Sequence, residues 1–501
     1  MRRILIGVVV FLIAACSSQT PPEIPKVWDD EAMRTVEIPL VDAALSSVYL
    51  PSDFYYSIPE MKVFRTYPVY HPDREPPGYI DELRRKEPEL VFDATKLETE
   101  QDWIRAGELI FDYPGLIGRV GFVRVPGEDL YVRDRDFYKA AGVPVAADGT
   151  VPFLHYVISE KGKVEVGTLS CGSCHTRVMP DGSVVKGAQG NFPSDRVMAL
   201  DYRHPSATLE EAILGERVLF WVPGRQAEFE RELQQTTLDQ IAAVHAAIPP
   251  GVLARHGTSP RYPVQIPDLI GIKDRRYLDH TGLQQHNSIA DLMRYDAINT
   301  GGDDLAKYGD FNPLSAFFGS GKMPEPSTLT RYGDARLYAL AKYLYSLQPP
   351  MNPNPFDDRA RRGQEVFERE GCPRCHTPPL YTNNTLIPVD GFEIPDDHRS
   401  KYDITEASIG TDPNLALKTR RGTGYYKVPS LKGVWYRGPF SHDGSVATLE
   451  DWFDPNRLRS DYVPTGFKGA GVTRRAVPGH PFGLRLSAEE KAALIAFLKT
   501  L

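Results

Sequence analysis

Cys171-Gly172-Ser173-Cys174-His175 and Cys372-Pro373-Arg374-Cys375-His376 are two copies of one five-residue pattern, set 201 positions apart (171 to 372). The chain has five cysteines, and these motifs take four of them. Two disulfides would use the four thiols but would give no reason for a histidine directly after each pair. A zinc site would also leave both histidines unexplained, and the separation is far longer than in compact zinc modules. Covalent haem attachment uses every residue. The thiols add to the vinyl groups, and the adjacent imidazole ligates the iron from one face. The motifs therefore predict two haem c groups, held by Cys171, Cys174, Cys372 and Cys375, with His175 and His376 as the proximal iron ligands.

A longer repeat surrounds the motifs. Trp103 to Phe111 matches Ala360 to Phe367 around Gly107 and Gly363, and each segment reads as the opening helix of a haem-binding unit. Thr99 and Asp102 make a plausible cap before the first. Further along, Pro267, Leu269, Gly271, His280 and Gly282 recur as Pro429, Leu431, Gly433, His442 and Gly444, all at one offset of 162 (267 to 429). A shared offset marks an internal duplication. Each half closes on an amphipathic helix: Leu337, Leu340, Leu344 and Leu347 in the first, Leu494, Leu498 and Leu501 in the second, after a capping box at Ser487 and Glu490. Gln348 to Pro355 carries four prolines between the halves and cannot be helical. The expected fold is mainly α: two tandem cytochrome c-like domains, residues 97–348 and 356–501, joined by a linker at 349–355, with long loops. From Gly107 to Cys171 is 64 residues, against 9 from Gly363 to Cys372. The excess includes the alternating stretch Val151 to Ile158, which predicts a partly β insertion within residues 112–167. Residues 17–96 read as a tether, polar from Ser17 to Asp30, followed by an extension rich in Tyr and Pro.

The first 16 residues, MRRILIGVVVFLIAAC, have an export signal's basic start and short apolar run. The run is too short to span a bilayer comfortably. Ile13-Ala14-Ala15-Cys16 resembles a bacterial lipobox, which would make Cys16 the lipidated first residue of the mature chain. Ser17 rather than Asp after it favours the outer membrane, with the protein facing the periplasm. The formal net charge of -8 and the absence of a long Lys/Arg run argue against a nucleic-acid partner. The expected partners are periplasmic redox proteins acting as electron donor and acceptor, and the membrane is engaged through the lipid anchor only.

Val428 to Leu449, which contains Tyr436-Arg437-Gly438-Pro439-Phe440-Ser441-His442-Asp443-Gly444, resembles the bacterial di-haem cytochrome c superfamily. That superfamily includes di-haem peroxidases and haem rubber oxygenases, and the likeness covers roughly residues 97–501. The rubber-oxygenase branch is also similar at Gly479-His480-Pro481-Phe482-Gly483, where the resemblance implies an axial histidine. Fold likeness alone does not select a reaction.

The distal ligands decide the function. No methionine follows Met351, so a Met ligand from within the second half is excluded. His480 is the leading candidate there, with His442 and His398 behind it. In the first half Met323, followed by Pro324, precedes the closing helix by a similar distance. It resembles the distal loop of small cytochromes c. His280 and His286 are weaker alternatives, and Met179 lies too close to His175 to reach the opposite haem face. With both Met323 and His480 ligating, both irons are six-coordinate and electron transfer follows, from the second haem to the first because methionine raises the potential. If one iron lacks a sixth ligand, the alternative is a di-haem peroxidase or oxygenase with an open N-terminal haem. The insertion at 112–167 speaks for that alternative. The lack of a histidine between His175 and Arg196 speaks against a peroxidase of the usual type.

Overall fold

The computed structural model describes residues 22–115, 131–167, 169–254, 259–317 and 323–501. The described residues are mostly helical, with five two-stranded sheets and one of three strands. None of their helices is long and apolar enough to cross a membrane. Residues 1–16, and with them Cys16, lie outside the described residues, as does the middle of the 112–167 insertion.

Two helix pairs repeat one packing motif. The helix Glu100–Asp112 opens on the expected capping box, with Thr99 and Asp102 exchanging side-chain and backbone bonds. Its buried face of Trp103, Ala106, Gly107, Ile110 and Phe111 lies on the helix Asp334–Ser346, where Leu337, Leu340 and Leu344 are buried. Each such leucine stabilises the pair by roughly 1.5–3 kcal/mol through removal from water. The backbones meet at Gly107, where a Cβ would stand 2.0 Å from the Ala339 carbonyl oxygen. In the second half the helix Asp358–Arg369 lies on Ala488–Lys499, and a Cβ on Gly363 would stand 1.9 Å from the Ala493 carbonyl oxygen. Only glycine permits either approach. The Ser487/Glu490 capping box starts the last helix as read from the sequence.

The repeated loops also bond to each other. Gln265 donates its N–H to the His442 carbonyl at 2.8 Å, and Lys427 donates its own to the His280 carbonyl at 2.9 Å. Positions 265 and 427, like 280 and 442, are separated by the 162-residue offset. Each half thus offers the same two positions to the other, which is the bonding of an approximate two-fold relation.

The N-terminal extension is wound into the first half. Ser47–Tyr49 pairs with Ala306–Tyr308, and Thr66–Tyr70 forms one edge of the three-stranded sheet. The central strand of that sheet, Thr150–Glu160, contains the stretch expected to be β, and Lys163–Gly167 forms the other edge. Phe153, Leu154, Tyr156 and Val157 are fully buried in it. The tether expected to run to Asp30 ends sooner. Val27 and Trp28 are fully buried, and Trp28 stacks on Tyr55 with ring centres 4.4 Å apart. One large aromatic side chain buries enough surface to dock a segment whose other residues are polar or proline.

Candidate functional site

The second motif opens on a single 3-10 turn, Cys372–Arg374, entered through Gly371 at φ +74°. Cys372, Cys375 and His376 line a cavity of about 410 Å³. The His376 Nδ1 donates to the Tyr381 carbonyl at 3.1 Å, so Nε2 is the ring nitrogen left for a metal. His480 faces it across the cavity, with ring centres 6.3 Å apart. The His480 Nδ1 is buried and bonds to no other residue. Burial, reinforced by the nearby His376 and Arg457, pushes the His480 pKa down to about 3, so the ring is neutral. Trp452 and Phe482 pack on it at 5.3 and 5.2 Å. The cavity wall is rich in cations: Arg275, Arg374, Lys427 and Arg437. Burial, then Arg275, pulls the Lys427 pKa down to about 7, and the Arg437 Nε is buried without a partner.

The first motif forms a short helix, Cys171–His175, capped by Ser170 and Ser173. The Ser173 hydroxyl donates to the Phe153 carbonyl at 2.8 Å, so the β-sheet holds this helix in place. The His175 Nδ1 donates to the Pro267 carbonyl at 3.0 Å. Each motif histidine is thus held through Nδ1 by a backbone carbonyl, that of Pro267 for His175 and that of Tyr381 for His376. Cys171 and Met323 pack, partly buried, against one core cluster that includes Ile110, Phe111 and Leu337. Gly321 and Lys322, which precede Met323, lie outside the described residues. Asp296, which the sequence reading passed over, stands near Cys171. Burial alone pushes its carboxyl well above the usual range and its Oδ2 has no partner, while burial first of all raises the Cys171 thiol. A single Asp inside an amphipathic helix carries no sequence signal of this kind.

The other histidines have partners of their own. His286 spans the Arg275 carbonyl at 2.7 Å and the Tyr345 hydroxyl at 2.6 Å, which uses both ring nitrogens. His280 bonds the Gln265 carbonyl at 2.6 Å through Nε2, and His398 bonds the Tyr425 hydroxyl at 2.9 Å through Nδ1. His442 lines the second cavity beside Tyr426, and its Nδ1 lies 3.3 Å from the Ser441 hydroxyl. Between the motifs, the Tyr436 hydroxyl donates to Asp268 at 2.7 Å. The buried Gln189 bonds the Gly251 and Pro439 carbonyls and accepts from the Gly438 N–H.

No family model matches the chain. A cytochrome-c peroxidase of Denitromonas iodatirespirans is 28% identical over 156 residues, covering 28% of this chain and 38% of that protein. The methylamine utilization protein MauG of Methylorubrum extorquens is 25% identical over 143 residues, covering 28% of this chain and 34% of MauG. The chain is thus distantly similar to cytochrome-c peroxidases and MauG, which are proteins of the di-haem cytochrome c superfamily. It spans under two-fifths of the length of these two relatives. Among solved structures, the hydrazine synthase of Kuenenia stuttgartiensis aligns with a TM-score of 0.28 at 16% identity, over 51% of this chain and 79% of that one.

The residues of the second cavity fit a haem. Two imidazoles on one metal, each with a metal–nitrogen bond of about 2.0 Å, would place their ring centres about 6 Å apart, close to the observed separation. Two thiols lie on the same wall for covalent attachment, and the surplus of cations suits a group that carries two carboxylates.

Proposed function

We propose that this chain is a di-haem c-type cytochrome that transfers electrons between periplasmic redox proteins. The observation that carries the reading is the facing of His376 and His480, which with both ligating would leave no open position at the second site. When bound, a haem supplies one-electron chemistry. The chain's own residues supply the rest. Cys171 and Cys174, and Cys372 and Cys375, would fix the two haems covalently. His175 and His376 would ligate through Nε2, because the Pro267 and Tyr381 carbonyls on Nδ1 fix the tautomer and raise the basicity of the other nitrogen. Met323 and His480 would close the distal faces. Two cytochrome c-like units, residues 97–348 and 356–501, would each carry one haem. A lipid on Cys16 would hold the protein at the periplasmic face of the outer membrane.

One observation favours a second reading, a peroxidase or oxygenase open at the first site. Asp296 is a buried carboxyl near Cys171 that burial pushes well above its usual range, and a carboxyl raised in this way suits giving a proton to a bound substrate. Carbon monoxide binding to the fully reduced holoprotein, followed by its visible spectrum, separates the two. Electron transfer requires that neither haem bind it. Ready binding at one haem overturns that reading and directs peroxide and oxygen assays to it.

A further inference from the structure

The side chain of Arg457 is 1% exposed, and among the described residues it makes no ion pair within 4.0 Å. Four of its five N–H groups go to backbone carbonyls instead. Nε donates to Trp452 at 2.9 Å. One terminal nitrogen donates to Val477 at 2.8 Å and to Gly479 at 2.9 Å, and the other to His480 at 2.8 Å. Three of these acceptors lie on the four-residue loop that ends at His480. The Trp452 carbonyl belongs to the residue whose ring packs on the His480 imidazole. The loop is in a conformation that chains seldom adopt: Gly479 has φ +87° and His480 φ +46°. It is pressed against its neighbour as well, since a Cβ on Gly479 would stand 2.5 Å from the Thr411 Cα. The His480 N–H is held by the Ile409 carbonyl at 3.0 Å, while its ring has no second hydrogen bond of the kind that steers His376. The His480 imidazole is therefore aimed through its peptide rather than through its ring.

We infer that Arg457 is the positioning residue of the second site, clamping the 477–480 loop so that His480 faces His376. The inference rests on the reading of His480 as the distal ligand. A guanidinium suits the task because its fixed fork reaches several carbonyls at once, whereas an ammonium on a flexible stem does not.

The test uses purified holoprotein, with electron paramagnetic resonance and visible spectra read before reduction and carbon monoxide binding read after it. His480→Ala identifies the low-spin signal of the second site. If every low-spin signal survives that substitution, the ligation reading itself falls. With the signal assigned, Arg457→Met is expected to convert most of it to high spin and to make the reduced second site bind carbon monoxide. Both haems should stay attached, and added imidazole should restore the low-spin signal. Arg457→Lys, which keeps the buried cation but reaches fewer carbonyls, should give an intermediate loss, and it decides the matter if the Met variant does not fold. A full low-spin signal and no carbon monoxide binding in both variants overturns the clamp. So does a loss that imidazole does not reverse, because that marks a collapsed pocket rather than a displaced ligand.

Discussion

Around the second motif the chain adds little structure beyond the repeated unit and leaves a cavity across which His376 and His480 face each other at 6.3 Å. Around the first it adds much more: the extension, a three-stranded sheet, and a buried carboxyl at Asp296. Yet the proximal sides agree closely. Each motif histidine bonds a backbone carbonyl through Nδ1, each motif follows a helix crossed at a glycine, and the repeated loops exchange the same backbone bonds. The duplication thus kept the packing and the backbone bond that hold each motif histidine and let the surroundings diverge. Electron transfer needs only two closed sites, so the extra structure around the first is the feature any rival account must explain.

The largest expected effect tests the part that agrees. Gly107→Ala and Gly363→Ala each drive a Cβ to about 2 Å from a backbone oxygen that no rotamer change can move. Each should cost about 3 kcal/mol, at the upper end of the overpacking range, and lower the yield of folded holoprotein. Thermal unfolding should show similar losses for the two. A large loss for one and none for the other would mean that the halves are not packed alike. The next test bears on the part that differs. Met323→Ala should lower the potential of the first haem by on the order of 100 mV, a fraction of the roughly 0.8 V that axial ligation spans, and leave the second unchanged. A titration in which neither potential moves removes Met323 as a ligand.

Much of this was legible in the sequence because it rests on fixed spacings. Both capping boxes, the bonds between loops at the 162-residue offset, and Leu337, Leu340, Leu344, Leu494 and Leu498 appear where the residues put them, while Leu347 and Leu501 lie just past the ends of the closing helices at Ser346 and Lys499. What stayed hidden depends on partners without a sequence signature. Arg457 bonds only to carbonyls, which every residue has, and an arginine in a proline-containing loop reads as a surface residue. Trp28 docks a stretch whose composition reads as a tether. Asp296 sits inside an ordinary amphipathic helix, and only burial makes it unusual.

The smallest effect separates the two regions by pH. His245 lies in the first half, fully buried, with Nδ1 on Asp195 at 2.7 Å and Nε2 on Glu216 at 2.9 Å. The Ala254 N–H also bonds Asp195, and the Tyr202 hydroxyl bonds Glu216. Burial alone would depress the histidine, but hydrogen bonds from the two carboxylates, then their charges, outweigh it and raise the pKa to about 9. A histidine whose folded pKa is raised contributes stability fully below its unfolded value of about 6.5. That contribution is lost as pH rises through about 9. The first half should therefore loosen on the alkaline side while the second, which has no such cluster among its described residues, holds. Following each haem's spectrum through thermal unfolding at pH 6.5 and pH 10 reads this directly, with the first haem's ligation lost at lower temperature at the higher pH. His245→Gln should flatten that dependence, because it removes the titrating group and leaves the carboxylates. Equal alkaline sensitivity of both haems would show that the histidine does not bind a proton in the fold, and the two regions would then differ in architecture but not in their response to pH.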